Sequence, residues 1–71
     1  MNAIKIYPKK GEPYYFQKMI GKRAIKGTHI LKHATRLYAN ESREIVRDLC
    51  KWIDCYFVTY IDFDEQLLLA H

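Results

Sequence analysis

Lys18, Lys22, Arg23, Lys26, Lys32 and Arg36 place six cations within nineteen residues, directly after Tyr14, Tyr15 and Phe16. That combination suits anion binding. Cations displace the counterions condensed on a nucleic-acid backbone, and aromatic rings give bases a surface to stack on. The plainer reading is that the lysines keep an edge strand soluble while the tyrosines pair across strands or join the core. No signature of a known nucleic-acid-binding motif accompanies the cluster. There is no RNP-type aromatic strand, no GxxG loop between suitable helices and no finger spacing.

Three other constellations carry less. His29-x3-His33 and Cys50-x4-Cys55 would supply four nitrogen and sulfur ligands, a number that zinc can use. A thiolate pair that shares one ion is usually tighter in sequence, as in Cys-x2-Cys. The simpler assignment is two buried thiols and two surface histidines, with no metal or other cofactor. Asp62, Asp64 and Glu65 could hold Mg²⁺, but hard cations need several converging oxygens and no phosphate loop is present, so a solvated turn is expected. A histidine–cysteine nucleophile would need an orienting group and an oxyanion hole that nothing here places. The chain reads as a non-enzyme. Tyr7, Tyr14, Tyr15, Tyr38, Trp52, Tyr56 and Tyr60 exceed what one helix-on-sheet core can enclose. Aromatics of this type dominate binding hot spots, so some belong at a protein interface, a homodimer included.

The charges divide along the chain. Residues 1–36 hold nine Lys or Arg and one acid, Glu12, a net of +8. Residues 37–71 hold three bases and seven acids, a net of −4, and the whole chain is +4. If the halves fold to different faces, the molecule carries a dipole that steers an opposite-sign partner.

Seventy-one residues make one small domain. Such a chain buries only about 60% of its unfolded surface, so its core is marginal and gains from a staple, a dimer or a partner. A hydrophobic fraction of 49% with ten aromatics argues for a true core rather than disorder. No apolar run approaches the roughly 20 residues that cross a bilayer, and the N-terminus lacks a signal-peptide h-region. A cytoplasmic protein with no membrane partner and with reduced thiols is expected.

Periodicity supplies the scaffold for these groups. Residues 3–7 alternate as a short strand, and Pro8–Pro13 is a turn with two prolines and a glycine. Tyr14 to Ile20 is β-favouring, with Tyr14, Phe16, Lys18 and Ile20 on one side and Tyr15, Gln17 and Met19 on the other. Gly21-Lys22 closes it. Residues 28–39 read either as a second helix, capped by Thr28, or as a strand. Residues 41–54 are a helix, with Asn40 as cap and with Ile45, Val46, Leu49, Cys50 and Ile53 as the buried stripe, Trp52 at its edge. Glu44–Arg47 and Asp48–Lys51 are spaced to pair along it. Tyr56 to Phe63 is a strand, Asp64-Glu65 a turn, and Leu67–Leu69 a last strand or a cap over the core. The sum is an α+β domain: a small antiparallel sheet of three to four strands with one main helix packed on one face.

In layout, the run Arg36-Leu37-Tyr38-Ala39-Asn40-Glu41-Ser42, leading into Arg43-Glu44-Ile45-Val46-Arg47-Asp48-Leu49 and a return strand at Tyr56–Phe63, resembles small phage- or mobile-element-encoded proteins of the anti-CRISPR type. The resemblance implies a non-catalytic inhibitor that blocks a host protein or nucleoprotein complex by occupying its nucleic-acid path or its protein contacts. The basic face would be Lys18, Lys22, Arg23, Lys26, Lys32 and Arg36, with Tyr14 and Tyr15 as aromatic contacts. The alternative is a regulator that binds DNA or RNA directly.

Overall fold

The structure, a computed structural model, describes residues 1–55 and 57–62. Strands β1 (Asn2–Tyr7), β2 (Tyr14–Gly21) and β3 (Ala24–Thr28) come first. A 3-10 turn at Leu31–His33, helix α1 (Ala39–Trp52) and strand β4 (Phe57–Asp62) come after them. The four strands form one antiparallel sheet in the order β3-β2-β1-β4. The small α+β fold with one main helix is therefore the one its sequence predicts. The turn at Asp64-Glu65 and the element at Leu67–Leu69 lie outside the described residues, as do Tyr56 and Phe63. Among the described residues no helix is long and apolar enough to cross a membrane.

The register fixes the faces. Ile6 stands opposite Tyr14 and Val58, and Ile4 opposite Tyr60. Ile4, Ile6, Phe16 and Val58 thus share one face, which meets Leu49 of α1 and Leu37 in the main core. The helix seats chiefly on β1 and β4. Its buried line runs through Ser42, Ile45, Val46, Leu49, Trp52 and Ile53. This corrects the expected stripe at one position: Cys50 is exposed. Ser42 takes the inner end of the line because it is tied to the sheet. It accepts from Asn2 Nδ2 at 3.1 Å and donates to Ala39 O at 2.9 Å. With Ser42 and Leu49 both buried on this line, Cys50 falls on its solvent side. The helix also starts earlier than expected, with Asn40 inside its first turn. Tyr38 is the extended residue before it, and the Glu41 carboxylate accepts from Tyr38 N–H at 3.3 Å. Glu44–Arg47 and Asp48–Lys51 are not closed as ion pairs; Lys9 instead reaches Asp54 at 2.6 Å across the end of the helix.

Residues 28–39 form neither the second helix nor the strand. Thr28 Oγ1 does accept a backbone N–H, from Ile30 at 3.1 Å, but it closes a turn instead of capping a helix. The chain then crosses the second face of the sheet, where Leu31 and Ala34 pack with Ala3, Tyr15 and Ile61. Next it wedges between β1 and β2. Leu37 exchanges both backbone hydrogen bonds with Asn2, at 2.7 and 2.8 Å, and Thr35 N donates to Phe16 O at 3.3 Å. Strands β1 and β2 are therefore paired only at the Lys5–Ile6 end and splay apart at the other. The wedge satisfies the backbone groups that the splay exposes.

Candidate nucleic-acid interface

Beyond Gln17, β2 pairs with β3 alone, so residues 18–26 make a two-stranded ribbon that leaves the sheet. Strand β3 is the one strand with no sequence forecast of its own. Lys22 and Arg23 form the tip, between the paired residues Gly21 and Ala24, and neither has positive φ. Tight hairpins usually turn through glycine or asparagine at positive φ. A tip of two cations sends no such signal.

Two register breaks shape the ribbon, at Gln17 and at Ile20. Each leaves one β2 residue without a partner on β3, as in a β-bulge, and so exchanges the faces of the residues beyond it. The first break moves Lys18 off the face of Tyr14 and Phe16, where simple alternation puts it, and sets it directly opposite Lys26. The break is held from outside the ladder. Thr35 Oγ1 donates to Gln17 O, and Gln17 Nε2 donates to His33 O at 3.2 Å.

Lys18 opposite Lys26 is a like-charge cross-strand pair, an arrangement that costs stability. Among the described residues no counter-charge pairs with it. Lys18, Lys22, Arg23, Lys26 and Lys32 are exposed and have no ion pair among the described residues. No acid occurs between Glu12 and Glu41. Lys32 lies on the 3-10 turn over the second face, and Arg36 is exposed within the wedge. The structure therefore unites Lys18, Lys22, Arg23 and Lys26 on one ribbon and leaves Lys32 and Arg36 on the segment beside it. The acid-rich half makes no opposing pole on α1, which carries three acids and three bases.

The two tyrosines separate. Tyr14 lies on the helix face, half-buried against the core and Gly27, and its ring meets His29 edge-on at 6.2 Å. Burial raises its hydroxyl above the ordinary 10.0. Tyr15 is half-buried on the second face, where Lys5 Nζ stands 5.9 Å from its ring and 5.1 Å from that of Tyr7. Tyr7 in turn meets Phe57 at 5.6 Å. Of Lys5, Tyr7 and Phe57, the sequence singles out Tyr7 alone, as one of the surplus aromatics; its grouping with Phe57 depends on β4 pairing with β1, a long-range contact. Met19 and Ile20, exposed on the ribbon, were also passed over because alternation alone reads them as strand residues.

His29 and His33 are exposed, and His29 Nδ1 lies 3.1 Å from Pro13 O. Among the described residues no group of three or more His, Cys, Asp or Glu converges, and no pocket opens. Comparison with known proteins finds no matching family model, curated protein or solved structure.

Proposed function

We propose that this chain is a non-catalytic binding module that grips the phosphate backbone of a nucleic acid, free or within a nucleoprotein complex, through the β2–β3 ribbon. One observation carries the reading: Lys18 faces Lys26 across the ribbon with Lys22 and Arg23 at its tip, and no counter-charge stands near in sequence or among the ion pairs of the described residues. A repulsive pair kept on an exposed ribbon is stabilised when phosphates sit over it. An inhibitor working through this surface would occupy a nucleic-acid path, which joins the two expectations drawn from sequence.

A salt series with a labelled duplex tests this. Four neutralised phosphates give a slope of about −3.6 in log K against log salt. Lys26→Glu should shrink that slope by at least about 1. The same substitution turns a like-charge pair into an opposite-charge one and should stabilise the fold by about 0.2–1 kcal/mol. Weaker binding with a firmer fold is the signature. Binding that ignores salt, or that survives Lys26→Glu, would remove the ribbon from the site.

A second reading is a protein inhibitor. It is favoured by Phe57 and Tyr60, both exposed on β4, the outermost strand of the described sheet on that side. A partner held there would be recovered from nuclease-treated lysate and would be far less salt-sensitive.

A further inference from the structure

Resting on that reading, we infer that the ribbon binds duplex DNA from the minor groove and kinks it by inserting Ile20 between two base pairs. Ile20 is 61% exposed and Met19 41% exposed, both on the ribbon that bears the four cations. Ile20 is also the residue left unpaired at the second register break, two residues before the tip. A bulge re-aims its side chain relative to the regular pleat. Gly21 beside it adds no side chain, and a Cβ there would touch only Ala24, at 3.6 Å.

The occupant follows from combining these features. A phosphate backbone alone accounts for Lys18, Lys22, Arg23 and Lys26 but gives Ile20 nothing to bury against. An apolar protein surface accounts for Ile20 but leaves four cations unmatched. A DNA duplex offers both within a few ångströms: two rows of phosphates, and the apolar space between stacked bases. Proteins that enter the minor groove commonly wedge an isoleucine, leucine, methionine or phenylalanine into a base step and bend the helix by about 20–90°. Pyrimidine–purine steps open at least cost, so TA or CA/TG steps are the preferred point of entry. Duplex RNA holds A-form geometry and is recognised across a wide, shallow minor groove mostly by its shape, 2′-hydroxyls and phosphates.

The test is energy transfer between dyes on the two ends of a duplex of about 30 base pairs with a central TA step. The full chain should shorten the end-to-end distance in proportion to occupancy. Ile20→Ser should abolish that shortening while the salt slope of binding stays that of the wild type. Ile20→Leu should bend as the wild type does. Circular dichroism of each variant checks the fold, which an exposed side chain does not support. Duplex bound without shortening, or shortened equally by Ile20→Ser, overturns the wedge and leaves the phosphate-gripping ribbon intact. Equal affinity for single strands or for duplex RNA also overturns it. No duplex binding at low salt overturns both readings together.

Discussion

Gly27 occupies a strand position where glycine is normally a weakness, since it adds backbone entropy and packs nothing. Its neighbour explains it. A Cβ at Gly27 would stand 2.5 Å from Tyr14 Cδ2, 2.9 Å from Cε2 and 3.3 Å from the Tyr15 carbonyl oxygen. The Tyr14 ring lies across the bare backbone of β3, and that contact sets how the base of the ribbon joins the sheet. Gly27→Ala would force the ring off the core. It should cost about 1–3 kcal/mol, in the range of overpacked sites. Urea denaturation would show it as a lower midpoint at unchanged slope. In a Tyr14→Ala background the same change should cost much less, because only the approach to the Tyr15 carbonyl oxygen remains. A full cost in both backgrounds would mean that the penalty lies in the backbone and not in the ring.

At the scale of elements, the readable parts are those whose pattern is local. The proline–glycine turn after β1, the alternation of β2 as far as Gln17 and, Cys50 apart, the apolar stripe of α1 each follow from neighbours in sequence. The parts that resisted depend on distant partners. Leu31, Ala34 and Leu37 recur every three residues, which reads as one helix stripe. In the structure Leu31 and Ala34 serve one face of the sheet and Leu37 the other, because the chain passes through the gap between β1 and β2. Spacing cannot distinguish a helix from a segment that threads a split sheet. Strand β3 escaped notice for a related reason: its turn holds two cations and its interior a glycine. Of the candidate site, the cations were legible by type, but their grouping was not. The bulge at Gln17, which puts Lys18 opposite Lys26, is held by Thr35, far along the chain. The wedge also carries stability. Leu37 is only 7% exposed, and Leu37→Ala should cost about 2–5 kcal/mol. A domain of this size has roughly 4–10 kcal/mol in total, so the variant should be partly unfolded near body temperature. Ile20→Ala, by contrast, should lie within about 0.5 kcal/mol of wild type. Thermal melts of the pair decide it; equal melting would mean that the wedge is not docked.

Over the whole molecule, the ribbon proposed to bind and the contacts that close the fold sit apart. The ribbon extends beyond the pairing of β1 with β2, with Ile25 still packed against the core, and its like-charge pair weakens it. The other end gathers what closes the fold: the loop after β1, the end of α1, Tyr14 and Cys55. Functional segments are commonly drawn from the less stable part of a fold, and the proposed role of the ribbon accords with that rule. The closed end also sets the response to pH. Burial, with Cys50 nearby as a second cause, pushes the Cys55 thiol above 9.0. Burial raises Tyr14 above 10.0. The hydrogen bond to Asp54, and then its charge, raise exposed Lys9 above 10.5. All three shifts are upward, so the folded chain holds these protons more tightly than the unfolded chain does. The contribution to stability is therefore complete below the unfolded values and is lost as pH rises through the folded ones. The denaturation midpoint, in the presence of a reductant, should be flat with respect to these groups near pH 8 and should fall steadily toward about pH 11. Tyr14→Phe and Cys55→Ser each remove one titrating group and should flatten the fall, and together they should leave the small part due to Lys9. That remainder should vanish with Asp54→Asn, because it depends on one exposed ion pair that solvent already screens. A midpoint as high at pH 11 as at pH 8 would mean that Tyr14 and Cys55 are not buried as described, and would detach this end of the molecule from its stability.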